Sequence, residues 1–298
     1  MQASSTPAMP VQQAKPVIIH TVSELREWVQ AQRKKGKKIG FVPTMGALHS
    51  GHLSLVELAG QNADTVITSI FVNPTQFAPH EDFDSYPRTL EDDVEKLSQT
   101  PCECVFAPNV DEMYPQGFAT SINFDAPITA TMEGAARPGF FNGVAIIVSK
   151  LLLQVLADVA VFGEKDYQQL QMVKQLVRDL NIPTQIIGAP IIRDDKGLAQ
   201  SSRNAYLNEE QYNTACSLNV ILAKTCTELQ QGADVAGTIA KAKEQILAAG
   251  FESIDYLDLR DANSLVEFTS DKVETTGQLR LITTARIDGI RLLDNMAV

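Results

Sequence analysis

Short apolar runs alternate with helical segments through the first two thirds of the chain. Three of these runs are IGFVPT at residues 39–44, DTVITSIFV at 64–72 and VAVFG at 159–163. Strands that are apolar on both faces are typical of parallel sheets covered by helices on both sides. The alternation therefore predicts an α/β fold in which a parallel sheet lies between two layers of helices.

The pattern changes near Pro190. A polar loop leads there into two helical segments, which are followed by three segments that alternate like the strands of a small antiparallel sheet. We therefore predict a first domain at 17–190 and a smaller α+β C-terminal domain at 191–298 that covers a cleft. Residues 1–16 are polar and interrupted by prolines, and we predict that they form a disordered tail.

The loop GALHSGHL, residues 46–53, follows the first predicted strand and begins a helix. Its glycines have the spacing of a Walker loop, but His52 and Leu53 replace the lysine and the hydroxyl residue, and the dinucleotide fingerprint is also absent. What remains is H-x-G-H, which places His49 and His52 on one side of a helical turn. Because Gly51 lets phosphates approach the backbone, we expect this loop to contact a nucleotide.

Two other interpretations of the histidine pair stay open at this point. The rings could be zinc ligands, but neither His20 nor His80 is identified as a third ligand. They could also be structural, which is the more common outcome for any single histidine. Two histidines in one glycine turn after a buried strand favour phosphate contact over both alternatives.

Two further loops carry charged side chains at places where an open parallel sheet binds ligands. FGEKDYQQL, at 162–170, contains Lys165, which could reach a phosphate. LAQSSRN, at 198–204, combines two serine hydroxyls with Arg203, a set suited to holding a phosphate. Each segment could equally be the ordinary beginning of a helix.

Neutral amides follow the second predicted strand, where Asn73 and Gln76 are placed at the carboxyl edge of the sheet. Further along the chain, Arg137 could pair with an anion. Asp92 and Asp93 could assist magnesium, although acidic residues in the first turn of a helix need no metal to explain them.

Composition limits the functional classes. With 44% hydrophobic and 20% charged residues the chain is predicted to be soluble and globular, and its net charge of -11 argues against a broad nucleic-acid surface. No apolar run approaches the roughly 20 residues of a membrane helix, so no membrane partner is expected. Four scattered cysteines form no disulfide framework, which favours a reducing compartment.

Six motifs occur in order from about Ile19 to the C-terminus: FVPTMGALHSGHLSLV, SIFVNPTQF, YPRTLEDD, FGEKDYQQL, SSRNAYL and RLLDN. Together they closely resemble the pantoate–β-alanine ligase family. H-x-G-H alone would indicate only the wider superfamily of nucleotidylyltransferases and class I aminoacyl-tRNA synthetases. The combination of FVPTMGALH.GH with FGEKD.QQ is specific to the ligases.

The resemblance implies a Rossmann-like N-terminal domain and a two-step reaction. ATP and pantoate would give pantoyl adenylate and pyrophosphate, and β-alanine would then displace AMP to give pantothenate, a precursor of coenzyme A. The resemblance also implies Mg²⁺, a cytoplasmic location and a homodimer. Two rival functions stay open: another H-x-G-H nucleotidylyltransferase, and a nucleotide-binding homologue with impaired catalysis.

The resemblance also implies a role for particular residues. The ATP site would comprise Met45, Gly46, Ala47, Leu48, His49, Ser50, Gly51, His52, Gly163, Glu164, Lys165, Asp166, Ile192, Gln200, Ser201, Ser202 and Arg203. Of these, we predict catalytic roles for His52, His49, Lys165 and Arg203, with the imidazoles replacing the Walker ammonium group beside the phosphates. Pantoate and β-alanine would contact Gln76, Gln169, Asn73, Tyr86 and Arg137, and Mg²⁺ would contact Asp92 and Asp93.

The chain departs from the family pattern at two positions. Phe140 stands where R-P-G-H-F has a histidine, and Gln200 stands where methionine or leucine usually precedes S-S-R. Neither change removes a charged catalytic group, so we expect them to affect affinity and loop behaviour rather than the reaction.

Overall fold

The computed structural model describes residues 15–78, 81, 83–274 and 277–298. Its first part runs through β1 (Val17–Ile19), α1 (Val22–Lys34), β2 (Ile39–Thr44), α2 (Ser50–Asn62), β3 (Thr65–Ile70), α3 (Leu90–Leu97), β4 (Cys102–Phe106) and the single turn α4 (Val110–Met113). It continues through α5 (Glu133–Ala136), α6 (Phe140–Val155), β5 (Val159–Gly163), α7 (Tyr167–Asp179) and β6 (Gln185–Ala189). The last part comprises α8 (Glu209–Gln230), α9 (Val235–Ala248), β7 (Ser253–Asp261), β8 (Leu279–Ile287) and β9 (Ile290–Ala297).

The first six strands form one sheet in the order β1-β4-β3-β2-β5-β6, and all of its pairings are parallel. From β2 the chain moves to β3 on one side, whereas from β5 it moves to β6 on the other side. A crevice opens at the carboxyl ends of strands where the direction of winding reverses in this way. The loops after β2 and β5 therefore begin at the crevice.

Alternate side chains of the strands pack on opposite faces of this sheet. Phe41 and Ile67 join the apolar cluster formed with α1, α6 and α7, whereas their neighbours Val42 and Val66 join the cluster formed with α2 and α3. Both faces are therefore buried, as the continuous apolar runs predict. The parallel sheet with helices on both sides is confirmed.

A second sheet follows, in which β7, β8 and β9 pair in antiparallel order. Its apolar face packs with α8 and α9 around residues such as Leu218, Leu222 and Leu281. The predicted small α+β region is thus confirmed, while a domain boundary at 190/191 stays a prediction. Of the predicted tail, residues 1–14 lie outside the described residues.

Sequence analysis did not predict β1 and α1. The first turn of α1 is fixed by a capping box, in which the Thr21 and Glu24 side chains each accept from the other's backbone N–H. In the described part of the chain, none of the helices combines the length and the apolar character that crossing a membrane requires.

Candidate active site

A cavity of about 570 Å³ lies between the two sheets, at the carboxyl ends of β2 and β5. Most of the predicted site residues line it: Met45, His49, Gly51, His52, Asn73, Gln76, Tyr86, Arg137, Gly163, Lys165, Asp166, Gln169, Ile192, Gln200, Ser201, Ser202 and Arg203. The other predicted residues are not part of its wall: Gly46, Ala47, Leu48, Ser50, Glu164, Asp92 and Asp93.

The two histidines of the loop after β2 lie against each other, with ring centroids 4.0 Å apart. His49 is the N-cap of α2, because its Nδ1 accepts a hydrogen bond of 3.2 Å from the Gly51 N–H. A neutral imidazole that accepts at Nδ1 carries its proton on Nε2. A Cβ at Gly51 would come within 2.9 Å of His49 Cε1, so the close approach of the ring requires glycine. The cap therefore sets His49 Nε2 as a donor.

Both imidazoles are uncharged at neutral pH. Burial and neighbouring positive charge, including that of Lys165, lower the pKa of His49 to about 4 and the pKa of His52 to about 3. The two rings therefore differ in charge from the ammonium group of a Walker lysine, and their place beside the phosphates stays a prediction. In this structure they can supply N–H donors, and the positive charge in the cavity has to come from other residues.

The middle of the same loop is held by a fully buried carboxylate. Asp93 accepts the Ala47 N–H at 2.9 Å and the Leu48 N–H at 2.7 Å, and Thr89 Oγ1 donates to it at 3.2 Å. Lys96 donates to the Leu48 carbonyl at 2.8 Å. The N–H groups of Ala47 and Leu48 are thus bonded to Asp93, and the place of these two residues in the ATP site stays a prediction.

The two predicted magnesium ligands do not fit a metal site. Asp92 is exposed outside the cavity, and both oxygens of Asp93 accept hydrogen bonds from the protein. Within the part of the chain that the structure describes, no three His, Cys, Asp or Glu side chains are grouped to hold a metal ion. The zinc interpretation of His49 and His52 therefore finds no third ligand there, and His80 lies outside the described residues.

The turn after β5 brings a cation to the cavity. Lys165 lies in a 3-10 turn that leads into α7, and its Nζ is 3.6 Å from Asp166 Oδ1. Its side chain is 21% exposed, so most of its length is covered while its ammonium group faces polar surroundings. Glu164 instead pairs with Arg280 at 3.0 Å. Glu164 is not part of the cavity wall, and its contact with the nucleotide stays a prediction.

Beyond β3, a network of amides fixes the orientation of Gln76. Asn73 is 1% exposed, and its Nδ2 donates to Gln76 Oε1 at 3.1 Å and to the Gly143 carbonyl at 3.2 Å. Gln76 Nε2 then points to Met45 Sδ at 3.0 Å. A Cβ at Gly143 would lie 2.1 Å from the Thr75 carbonyl, so α6 can approach this turn only with glycine there. Asn73 therefore fixes the orientation of Gln76 and also lines the cavity itself.

The adjacent glutamines of α7 have different surroundings. Gln168 is 3% exposed, accepts from the Glu133 N–H at 3.0 Å and donates to the carbonyls of Ile128 and Thr131. Its amide is thus used to hold α5. Gln169 lines the cavity, and its amide makes no hydrogen bond to any residue that the structure describes. This separation agrees with the substrate role predicted for Gln169.

Arg137, predicted to pair with an anion, is already paired within the protein. Its Nε donates to Glu81 Oε1 at 2.7 Å and its Nη2 donates to Glu81 Oε2 at 2.6 Å. Burial would raise the pKa of Glu81, but Arg137 outweighs this effect and keeps that pKa below its usual value. The guanidinium also lies 3.8 Å from the ring centroid of Phe140, the residue that departs from the family pattern. The Phe140 ring, which stands in place of the family's histidine, thus provides a stacking surface for the Arg137 guanidinium.

The loop at residues 192–204, called the serine loop, lines one side of the cavity. Gln200 N–H donates to the Ile192 carbonyl at 2.9 Å, which holds the two ends of the loop together. Ser201 caps the following 3-10 turn with its Oγ, and Ser202 Oγ lies 3.2 Å from Tyr86 OH. This last contact joins Tyr86, predicted to contact substrate, to Ser202, predicted to contact the nucleotide.

The contribution of the second sheet to this cavity was not predicted from the sequence. Thr283, Arg286 and Arg291 line it, although no site residue was predicted beyond Arg203. Glu81, the partner of Arg137, was also missed. The only available signal was RLLDN, which begins at Arg291 and was recognised as part of the resemblance without being given a role.

Residues 17–297 match the family model described as Pantoate-beta-alanine ligase. The pantothenate synthetase of Caulobacter vibrioides is 49% identical over 284 residues, which cover 95% of this chain and 99% of that protein. The pantothenate synthetase of Azotobacter vinelandii is 49% identical over 286 residues, with coverages of 95% and 99%.

Solved structures of the same family have the same fold. The pantothenate synthetase of Thermus thermophilus superposes with a TM-score of 0.88 at 42% identity and covers 94% of this chain and 98% of its own. The pantoate-beta-alanine ligase of Francisella tularensis, crystallised with β,γ-ATP and β-alanine, gives a TM-score of 0.78 at 33% identity, with coverages of 95% and 97%.

Proposed function

The chain belongs to the pantoate-beta-alanine ligase family, and on that premise we propose that its cavity joins pantoate and β-alanine at the expense of ATP. The products are pantothenate, AMP and pyrophosphate, and pantoyl adenylate is the intermediate. The enzyme is thus an AMP-forming ligase of pantothenate biosynthesis. The observation that carries the proposal is the meeting of the histidine pair, Lys165, the serine loop and Gln169 in one cavity at the switch point of the sheet.

In the first step a pantoate carboxylate oxygen attacks the α-phosphorus of ATP, and the bond to the pyrophosphate breaks. The carboxylate is ionised at pH 7, so the step needs no general base. It needs alignment and relief of the repulsion between two anions. We assign the positive charge to Lys165 and Arg203, and hydrogen-bond donation to His49, His52 and the serines.

The neutral imidazoles suit this division of roles. His49 Nε2 is a donor because its Nδ1 is occupied by the Gly51 N–H. A neutral donor stabilises charge that develops on phosphate oxygens without holding the ground-state triphosphate in a strong ion pair. Because a bound triphosphate favours the protonated ring, it would raise the pKa of both histidines.

The two side chains assigned to pantoate are uncharged amides. Gln76, fixed by Asn73, and Gln169, which is free to turn toward a ligand, are assigned to orient pantoate without neutralising its nucleophilic carboxylate. In the second step the neutral amine of β-alanine attacks the acyl carbon, the bond to the AMP oxygen breaks, and one amine proton passes to water as the amide bond forms. Gln76 is assigned to β-alanine as well, beside Tyr86 and Arg137.

Three finer features are part of the proposal. Magnesium would accompany the triphosphate of ATP, whose charge it would screen; because Asp92 and Asp93 do not fit as its ligands, no step is assigned to it. The chain is proposed to act as a homodimer in the cytoplasm. Light scattering of the purified protein tests the homodimer, and a mass in solution equal to that of one subunit would contradict it.

The decisive assay measures AMP formation from ATP with pantoate and β-alanine, each omitted in turn. We expect AMP only when both are present, and pyrophosphate–ATP exchange when pantoate alone is present. AMP formation with other amine acceptors but not with β-alanine would indicate a different enzyme of the superfamily. Binding of ATP without pantoate-dependent exchange would indicate a homologue with impaired catalysis, and either result would overturn the proposal.

A further inference from the structure

The turn that carries Lys165 is held by the last strand of the other sheet. Asn295, on β9, donates from Nδ2 to the Glu164 carbonyl at 2.9 Å and to the Lys165 carbonyl at 3.0 Å. Asn295 is 2% exposed, so these bonds are shielded from water. The amide therefore grips the backbone of the residue that bears the cation, not the side chain.

The hydrogen-bonding capacity of the Asn295 side chain matches this position. An amide offers two N–H donors and a carbonyl acceptor, so one side chain can serve two carbonyls and one further donor. The further donor is Arg280, whose Nε lies 2.7 Å from Asn295 Oδ1. Arg280 also pairs with Glu164 and lies 4.3 Å from the ring centroid of Tyr167. Two residues of the second sheet thus hold Glu164 and Lys165 in the turn and Tyr167 directly after it.

Other side chains of β9 form ion pairs with different segments of the chain. Asp294 accepts both Nη groups of Arg193 at 2.7 Å, and Arg291 pairs with Glu133. These ion pairs attach the second sheet to the serine loop and to α5. Asn295 is therefore the β9 side chain that hydrogen-bonds directly to the Lys165 backbone.

We propose that Asn295 is a positioning residue that sets the location of Lys165, so that the second sheet controls phosphate activation through one amide. The inference rests on the proposed role of Lys165 in the ligation. An error of about 1 Å in the position of a catalytic group can cost on the order of 100-fold in rate. Loss of the two N–H donors should therefore act on turnover and not only on stability.

A double-variant cycle tests this. Asn295→Asp keeps the shape and the acceptor for Arg280 but removes both donors, and Lys165→Met removes the cation. We expect Asn295→Asp to lower kcat for AMP formation by about 10- to 100-fold. When Lys165 is already Met, the same change should lower kcat by no more than about twofold, because a positioning residue has nothing left to position.

Leu292→Ala is the matched control. Leu292 lies on the same strand but packs in the core of the second sheet, away from the turn. We expect it to lower the melting temperature and to have the same effect on kcat in both Lys165 backgrounds. Should Asn295→Asp fail to fold, Asn295→Ser, which keeps one hydroxyl donor and adds no charge, is expected to show the same dependence on Lys165.

Equal effects of the Asn295 change in the two backgrounds would overturn the inference, and so would a lower melting temperature with unchanged kcat. If the unmodified enzyme forms no AMP from pantoate and β-alanine, the proposed function fails instead. The two failures are therefore distinguishable within one experiment.

Discussion

The loop after β2 and the turn after β5 follow neighbouring strands of one sheet and reach the same cavity, but opposite chemistry holds them. A buried carboxylate, Asp93, accepts the N–H groups of the first. A buried amide, Asn295, donates to the carbonyls of the second. Asp93 belongs to the parallel-sheet region, whereas Asn295 belongs to the antiparallel sheet. The histidines are thus placed by their own region, and the cation is placed by the other.

The largest effects are expected when the functional side chains that these two segments carry are removed. We expect Lys165→Met and His52→Ala each to lower kcat/KM for ATP by about 10²- to 10³-fold, since each removes a donor to the developing phosphate charge. Lys174→Met, on α7 outside the cavity wall, is the control. Pyrophosphate–ATP exchange measures the step directly, and exchange near the unmodified rate in His52→Ala would exclude that ring from it.

The second effect breaks the support of the loop after β2. Asp93→Asn leaves one acceptor oxygen for the N–H groups of Ala47 and Leu48, so at least one buried group loses its partner. We expect a loss of about 1–3 kcal/mol in the free energy of unfolding, measured by denaturant titration, together with weaker ATP binding.

Its exposed neighbour gives the control for Asp93. Asp92→Asn should leave both stability and ATP binding unchanged, because its carboxylate lies outside the cavity. A raised magnesium requirement in Asp92→Asn would instead indicate that Asp92 is a magnesium ligand, which the structure does not support.

The third effect is specific to the segment that carries the histidines. His49 and His52 have pKa values of about 4 and about 3 in the folded protein, whereas both protonate near 6.5 when unfolded. Between these values the unfolded chain binds more protons, so the free energy of unfolding falls as the pH is lowered from 7 to 5. The slope is at most about 1.4 kcal/mol per pH unit for each ring. Denaturation of His52→Gln should show a shallower dependence, and parallel curves would contradict the neutral state.

The smallest effect concerns the periphery of the turn after β5. Glu164→Gln removes the ion pair with Arg280. The Glu164 side chain in that pair is 30% exposed. Pairs of this kind contribute about 0–1 kcal/mol, so we expect kcat and the KM for ATP to change by less than about threefold. A large rise in the KM for ATP would show that Glu164 contacts the nucleotide, as the resemblance to the ligase family implies.

Local sequence was sufficient for the elements that present the site. The apolar runs at 39–44 and 159–163 coincide with β2 and β5. Periodicity reports burial along a short segment, which is why these predictions succeed. It missed α1, whose beginning depends on the local cap between Thr21 and Glu24.

The supports of the site were not predictable in this way. Asp93 resembles an ordinary acidic residue in the first turn of a helix, and Asn295 resembles a polar position on a strand. Their roles arise from contacts with Leu48 and Lys165 that depend on how distant segments pack together. The same holds for Arg137, whose anion partner in this structure is Glu81. Family resemblance identified the motifs but not these partners.

The sequence distance of the two supports has a consequence for how the protein matures. Asp93 lies 46 residues after Ala47, whereas Asn295 lies 130 residues after Lys165. Because a chain emerges from the ribosome in order, the histidine loop acquires its support early in synthesis. The lysine turn acquires its support only once Asn295 has been made, so the two segments of the site become fixed at different stages of synthesis.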